Sequence, residues 1–142
     1  MIRPATRADL EAVRTLFREY ADGLGVDLSF QDFEAELADP QGVYELVLVS
    51  QDGCVALRRV DAETCEMKRL YVRHAARGTG LGRALAGAVI AHARARGYER
   101  MLLDTLPSMT QARSLYESLG FRETDAYRYN PVEGTSFLEL RL

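Results

Sequence analysis

The sequence predicts an α/β fold with a mixed central sheet of about six to seven strands, flanked by about four helices. Three runs of β-forming residues are joined by tight turns, which predicts consecutive antiparallel strands. A helix follows the third run through a glycine-rich turn, and a short apolar run comes after that helix. A crossover of this kind predicts a strand parallel to the third one. The length of 142 residues predicts a single domain over 1–142.

The N-terminal elements are predicted from capping and periodicity. Residues 1–4 are expected to form a short edge strand, after which Thr6 caps a helix with Asp9 at the N3 position. Apolar residues recur at helical spacing until Gly23 and Gly25 end that helix. A second, shorter helix starts between Ser29 and Asp32, is closed by Pro40 and Gly42, and has an apolar inner face of Phe30, Phe33 and Leu37.

The remaining elements follow a change of period at Tyr44. The turn Gln51-Asp52-Gly53 is a hairpin signal, and Gly97 and Gly120 are placed to end helices. The predicted elements are strands over 44–50, 54–60 and 64–72, a helix over 80–96, a strand over 101–105, a helix over 107–119, and strands over 121–129 and 136–142.

Composition narrows the classes of function. The net charge is −3 and the sequence pI is about 5.4, which argues against a general nucleic-acid or anionic-membrane surface. We find neither a signal peptide at the start nor an apolar run of about 18 residues, so we expect a cytoplasmic protein. Cys54 and Cys65 do not form a metal-binding spacing with either histidine, so we expect no metal and reduced cysteines beside neighbouring strands.

A glycine-rich turn between strand and helix is the candidate ligand site. Gly78, Gly80 and Gly82 leave the backbone open to a bulky ligand, and the first turn of the helix offers unpaired N–H groups. Arg77 and Arg83 add charge at the rim, so the turn is suited to phosphate oxygens. The spacing fits neither a Walker loop nor the dinucleotide fingerprint, and a structural turn without a ligand is the alternative.

Two motifs resemble the GCN5-related N-acetyltransferases. Arg77-x-x-Gly80-x-Gly82 is similar to the pyrophosphate loop of that family, and the segment 112–121 is similar to its Ala-x-x-Leu-Tyr-x-x-x-Gly-Phe motif. The order of predicted elements matches the family over essentially the whole chain. The resemblance implies a sheet that is splayed in the middle, a β-bulge near residues 67–69, and acetyl-CoA as co-substrate.

The resemblance also implies which residues bind the coenzyme. The pantetheine arm would lie in the splayed gap, with backbone hydrogen bonds from Leu70 and Val72, and the Val72 N–H would donate to the thioester oxygen. The implied coenzyme-binding residues are Leu70, Tyr71, Val72, Arg77, Gly78, Thr79, Gly80, Leu81, Gly82, Arg83 and Tyr116.

Two residues are implied to be catalytic. Tyr116 would protonate the departing thiolate, with packing in the core as the alternative. Glu66 would activate the amine through water, with a solvated carboxylate paired to Arg58 or Lys68 as the alternative. Alternation along the strand predicts that Glu66 shares a face with Leu70 and Val72.

Other residues leave alternatives open. Met109 stands where the family often has asparagine, so Ser108 or Thr110 is a candidate replacement. Asp104 either contacts the substrate or caps the next helix. In the family the final hairpin helps to form the acceptor pocket, which makes candidates of Asp125, Tyr127 and Glu133.

The function that the resemblance implies is transfer of an acetyl group from acetyl-CoA to a primary amine, which could be a small amine, an amino acid or a peptide. The alternative is a noncatalytic acetyl-CoA-binding module with the same fold. We expect no nucleic-acid or membrane partner. Since many members of the family pair through their last strands, a homodimer is also expected.

Overall fold

One mixed sheet organises the computed structural model, which describes residues 1–25, 27–29 and 32–142. Its seven strands lie in the order β1-β2-β3-β4-β5-β7-β6. The single parallel pair among these described strands is β4 with β5, as the helical crossover predicted. The strands are β1 (Arg3–Pro4), β2 (Leu46–Ser50), β3 (Gly53–Arg59), β4 (Thr64–Val72), β5 (Arg100–Thr105), β6 (Arg122–Glu123) and β7 (Ser136–Arg141).

Helices cover both faces of this sheet. The described residues form five of them, one more than the sequence predicted. The extra helix arises because Pro40 begins a new turn instead of closing the previous helix, and the Asp39 carboxylate accepts the Gly42 N–H at 3.1 Å. The helices are α1 (Leu10–Leu24), α2 (Phe33–Ala38), α3 (Pro40–Val43), α4 (Leu81–Ala95) and α5 (Thr110–Ser118).

The start of α1 follows the predicted capping pattern. A short 3-10 turn over Arg7–Asp9 leads into the helix, and the Asp9 carboxylate accepts the Thr6 backbone N–H at 2.8 Å. Gly25 ends the helix with φ 64°, a left-handed conformation that glycine adopts without steric cost. Phe30, which was assigned to the inner face of the second helix, lies outside the described residues.

Two apolar clusters fill the layers above and below the sheet. One lies under α4 and α5 and includes Val55, Leu57, Leu85 and Val89. The other lies under α1 and α2 and is centred on Phe17, whose ring meets Tyr44 edge-on at 5.9 Å. Cys54 and Cys65 are free and buried on β3 and β4, in agreement with the sequence prediction.

The middle strands of the sheet separate along their length. β4 pairs with β5 over Thr64–Glu66 and Arg100–Leu102. Beyond that point β4 stays with β3, while β5 stays with β7 up to Thr105. The edge of β4 that faces β5 is therefore left open over residues 67–72, which is the splay that the family resemblance implied.

A β-bulge accompanies the splay. The register between β3 and β4 shifts between Cys54 and Ala56, and Arg69 has φ 59°. An extra residue reverses the alternation of side chains, so Met67 and Leu70 both pack on the cluster under α4. The prediction that Glu66 shares a face with Leu70 and Val72 is therefore wrong.

The C-terminal segment is less regular than predicted. The strand expected over 121–129 is only two residues long, and it pairs with β7, which lies between it and β5. The rest of the connection to β7 includes Pro131, which lacks the N–H that a sheet ladder needs. The helix expected from Pro107 begins at Thr110.

Candidate active site

The glycine-rich turn joins β4 to α4. A short 3-10 turn over His74–Ala76 precedes it, and Gly80 caps the helix with φ 88°. Gly78 also has a positive φ, 78°. No described heavy atom lies within 4 Å of where a Cβ would project from Gly78 or Gly80, so open space faces both glycines. The turn is therefore a backbone surface that a large ligand could approach.

The polar side chains of this turn hold it in place. Arg77 Nε donates to the Val72 carbonyl at 3.1 Å, and the Thr79 hydroxyl donates to the Ala76 carbonyl. Arg83 reaches α5, where its Nη2 donates to Ser118 Oγ at 2.7 Å. Arg77 and Arg83 both keep part of their guanidinium groups open to solvent.

A cleft of about 550 Å³ opens between the turn, the free edge of β4, and α5. Six of the predicted coenzyme-binding residues line it: Leu70, Tyr71, Val72, Arg77, Gly78 and Gly82. The other four members of the loop and helix start, Thr79, Gly80, Leu81 and Arg83, lie beside it in the chain without lining it. Ser108, Met109 and Thr110 form the opposite wall, so all three residues considered at the asparagine position face the cleft.

The backbone of Val72 faces this cleft. The N–H of the next residue, Arg73, donates to the Asp52 carbonyl at 2.8 Å, on the β3 side of the strand. Because successive residues of a strand direct their backbone groups to opposite edges, the N–H and carbonyl of Val72 point away from β3. The carbonyl of Val72 meets Arg77 there, which leaves its N–H on the open edge.

A smaller inner pocket adjoins the cleft. Tyr20, Leu70 and Met109 line both spaces. The other residues of the inner pocket are Met67, Lys68, Arg69, Asp104 and Tyr116. The two spaces are therefore contiguous, and Tyr20 of α1 borders both.

Tyr116 is held in the wall of the inner pocket. It is only 5% exposed, and its ring packs edge-on against Phe121 at 5.7 Å between centroids. Burial and the charge of Asp104 raise the pKa of the Tyr116 phenol, so it stays protonated at neutral pH. No hydrogen-bond partner of its hydroxyl is present among the described residues. The hydroxyl is therefore a donor that is available to a ligand.

Glu66 is fully buried and surrounded by donors. Its two oxygens accept hydrogen bonds from Arg58 Nη1 at 3.2 Å, Arg128 Nη2 at 2.7 Å, and the Tyr127 hydroxyl at 2.6 Å. The expected pairing with Arg58 is present, but the carboxylate is not solvated, since its exposure is 0%. Tyr127 was a candidate for the acceptor pocket and takes part in this cluster, whereas Asp125 and Glu133 are exposed.

Asp104 is the carboxylate of the inner pocket. It stands near the end of β5 and accepts a hydrogen bond from Asn130 Nδ2 at 3.3 Å. The first turn of α5 begins at Thr110 and receives no side-chain cap, so Asp104 does not cap that helix. Of the two roles that the sequence left open, capping is not observed, and contact with a substrate stays a prediction.

Lys68 is a pocket residue that the sequence analysis missed. It is the only lysine among 18 lysine and arginine residues, and it is 6% exposed. Burial and the neighbouring Arg69 lower the pKa of Lys68 to about 8. The one available signal was that Lys68 is a single lysine in an arginine-rich chain. Regular alternation along β4 would have placed its side chain on the same face as Leu70, away from the position that the bulge gives it.

Arg69 was also missed, and it closes the pocket on the side of α2. Its guanidinium makes two hydrogen bonds of 2.7 Å to the buried Glu36 carboxylate. The same group lies 5.4 Å from the ring centroids of Tyr20 and Phe33. The side chain of Arg69, the residue with the left-handed backbone at the bulge, is thus held by a bidentate ion pair with Glu36 and by two aromatic rings.

Comparison with known proteins identifies the family. Residues 10–121 match the acetyltransferase (GNAT) family. The chain belongs to the GNAT family. An uncharacterized N-acetyltransferase from Schizosaccharomyces pombe is 38% identical over 145 residues, which cover 94% of this chain and 89% of that protein.

Solved GNAT structures share the fold. An acetyltransferase of the GNAT family from Staphylococcus aureus superposes with a TM-score of 0.82 at 18% identity, covering 99% of this chain and 98% of its own. A protein from Salmonella typhimurium, solved with its cofactor acetyl-CoA, has a TM-score of 0.71 at 25% identity and covers 99% and 92% of the two chains. Both likenesses extend over the splayed strands and the cleft.

Two further findings concern what the described residues lack. Within 1–25, 27–29 and 32–142 there is no cluster of three or more His, Cys, Asp or Glu side chains arranged to hold a metal ion. Across the same ranges, every helix is too short or too polar to cross a membrane.

Proposed function

We propose that this GNAT protein transfers the acetyl group of acetyl-CoA to a primary amine by direct attack. The observation that carries the proposal is that the cleft beside the glycine turn and the free edge of β4 adjoins the inner pocket, which Tyr116 lines. Acetyl-CoA, when bound, supplies an acetyl group activated as a thioester. The chain's own residues bind it and handle the protons.

The residues of the cleft suit the coenzyme. Open space beside Gly78 and Gly80 admits phosphate oxygens to the backbone, and Arg77 supplies a positive charge at the rim. The unpaired edge of β4 at Leu70 and Val72 can accept the amides of the pantetheine arm as a short additional strand. The Val72 N–H is placed to donate to the thioester oxygen, where negative charge grows during transfer.

The proton chemistry rests on two pocket residues. An alkylamine has a pKa of about 10.4, so only about one molecule in a few thousand is neutral at pH 7. We assign the role of proton acceptor to Asp104. Its carboxylate faces the inner pocket, and its hydrogen bond from Asn130 is long, at 3.3 Å. Tyr116 Oη then gives its proton to the departing sulfur, and the phenolate left behind regains a proton from water as Asp104 releases the amine proton to water.

Glu66 was the candidate base in the sequence analysis, and its role in activating the amine stays a prediction. Its three donors occupy three of the about four lone-pair positions of the carboxylate, which leaves little room for a proton or a water. We propose instead that the inner pocket is the acceptor pocket and that Glu66 is a positioning residue, which holds the Tyr127 hydroxyl and the Arg128 guanidinium. Replacing each carboxylate by its amide distinguishes the two roles, because loss of a proton acceptor lowers kcat whereas loss of a positioning contact acts mainly on stability.

The test of the function is release of free CoA from acetyl-CoA in the presence of a panel of amines, amino acids and short peptides. We expect turnover with at least one class and a mass gain of one acetyl group on the amine. Tight binding of acetyl-CoA without turnover on any class would instead establish a noncatalytic coenzyme-binding module.

We also propose a cytoplasmic protein with one domain over residues 1–142 that pairs through its last strands. β6, formed by Arg122–Glu123, lies at the edge of the sheet and offers unpaired backbone groups to a second copy. Light scattering would decide this: a mass twice that of the 15.9 kDa chain supports the dimer, and a single-chain mass rejects it.

A further inference from the structure

The carboxylate of Glu19, on α1, holds the end of β4 beside the coenzyme cleft. Its Oε1 accepts hydrogen bonds from the Tyr71 hydroxyl at 3.1 Å and from Arg73 Nε at 3.0 Å. Its Oε2 accepts a third hydrogen bond from Arg73 Nη2, also at 3.0 Å. The two residues that Glu19 binds are therefore the neighbours of Val72, whose N–H faces the open edge of the strand.

The alternation of side chains beyond the bulge explains this arrangement. Leu70 and Val72 pack on the apolar cluster under α4. Arg69, Tyr71 and Arg73 turn to the other face of the sheet, where they meet α1. Helix α1 thus contacts every second residue of this segment, while the backbone groups of the residues between them face the open edge.

The Val72 N–H needs such support because its strand is incomplete. Over residues 67–72, β4 is no longer paired with β5, so one edge of the segment lacks the ladder that fixes a central strand. On the other edge, the backbone N–H and Nη1 of Arg73 donate to carbonyls of the turn between β2 and β3, at 2.8 and 3.1 Å. Glu19 adds an attachment that reaches the residues on both sides of Val72.

The contact between Glu19 and Arg73 has the geometry of a strong ion pair. The guanidinium meets both carboxylate oxygens, the bidentate arrangement that fixes direction as well as distance. Hydrogen bonds from Arg73 hold the pKa of the Glu19 carboxyl below its usual range, so the group is ionised at neutral pH. Because the two side chains are 34% and 36% exposed, water screens their attraction, and we expect orientation to be the main effect.

We infer that Glu19 is a positioning residue for acetyl transfer. It acts through Tyr71 and Arg73 and fixes the direction in which the Val72 N–H points. This rests on the proposed function, in which that N–H donates to the thioester oxygen. A donor that is misplaced by about 1 Å loses much of its stabilisation of the negative charge in the transition state.

Three variants of the full-length protein test the role through turnover with the best amine of the panel. Glu19→Met removes every acceptor and should lower kcat about 10- to 100-fold, with little change in KM for the amine. Glu19→Gln keeps one oxygen for the Tyr71 hydroxyl and Arg73 Nε, so its kcat should lie between those of Glu19→Met and the wild type. Glu11→Met is the matched control and should keep the wild-type kcat, because Glu11 is an exposed glutamate of the same helix that pairs with Arg14.

A binding comparison requires no turnover and separates positioning from general support of the fold. CoA lacks the thioester oxygen, so the Val72 N–H contributes to the affinity for acetyl-CoA alone. In Glu19→Met, calorimetric titration should show acetyl-CoA binding weakened about 3- to 10-fold, the value of one hydrogen bond, and CoA binding unchanged. Unchanged CoA binding also shows that the variant is folded.

The deciding quantity is the ratio of the dissociation constants of acetyl-CoA and CoA. A ratio that stays at the wild-type value in Glu19→Met overturns the inference, whether both affinities fall together or neither changes. If Glu19→Met does not fold, Glu19→Gln takes its place, since it loses the bond to Arg73 Nη2 and must move the ratio in the same direction. If the wild type acetylates no amine, the proposed function fails, and the ratio still decides the role of Glu19.

Discussion

The coenzyme cleft and the inner pocket adjoin at Tyr20, Leu70 and Met109, but they are built differently. The cleft is made mainly of backbone: a glycine turn, a helix start and an unpaired strand edge. The inner pocket is made of side chains from five separated parts of the chain, among them the charged Lys68, Arg69 and Asp104, and Arg69 is held by its ion pair with Glu36. A backbone site recognises groups that every acyl-CoA carries, whereas a side-chain site can change its preference one residue at a time.

The largest effect on catalysis is expected from Tyr116→Phe, in the wall of the inner pocket. Loss of the hydroxyl should lower kcat about 100-fold, the scale of one general acid, with little change in KM for acetyl-CoA. Tyr98→Phe is the matched control, because Tyr98 is also buried and lies beyond the end of α4. A Tyr116→Phe enzyme with wild-type kcat would remove this residue from the chemistry.

Two carboxylate variants test whether Asp104 or Glu66 accepts the proton of the amine. Asp104→Asn should lower kcat about 30- to 100-fold, with little change in KM for acetyl-CoA. Glu66→Gln should keep kcat close to the wild-type value and act mainly on stability, since it leaves Arg58 and Arg128 facing a neutral group. The opposite pattern, with kcat lost only in Glu66→Gln, would restore the role predicted from the sequence.

A smaller effect is expected on the pH dependence of the free energy of unfolding, and it concerns Lys68 in the inner pocket. The pKa of Lys68 is about 8 in the folded protein, against 10.5 for the unperturbed group. Between these values the unfolded chain binds the extra proton, so stability rises with pH. Relative to Lys68→Met, the wild type should gain about 2 kcal/mol between about pH 7.5 and 10 in urea unfolding. A constant difference between the two proteins would mean that Lys68 titrates normally.

The sequence predicted the coenzyme cleft better than the inner pocket, because the cleft is built from residues that are close in sequence. Gly78, Gly80 and Gly82 are close in sequence, so the turn, the helix start and the cleft were predicted from local pattern. The bulge at Arg69 has no signature in the residues, and the reversal of alternation it causes misplaced Glu66. The length of β6 was also predicted wrongly, since β-forming residues over 121–129 indicated a full strand and only Arg122–Glu123 form one.

The acceptor pocket depends on contacts between distant residues. Tyr127 and Arg128 meet Glu66 across 61 and 62 positions of sequence, and Glu36 meets Arg69 across 33. One sequence carries no signal for such pairs. Asp104 was left between two roles for the same reason, because its surroundings are set by β4 and α5 together.

The most direct measurement of the central claim is calorimetric titration of acetyl-CoA into two glycine variants at opposite ends of α4. Gly80 and Gly97 have similar positive φ, 88° and 84°, and no described atom lies within 4 Å of the point where a Cβ would project from either residue. Valine should therefore strain both alike, and Gly97→Val should bind acetyl-CoA as the wild type does. Gly80→Val places a branched side chain where phosphate must approach, and its affinity should fall at least about 10-fold. Equal affinity of the two variants would contradict the assignment of the glycine turn as the pyrophosphate site.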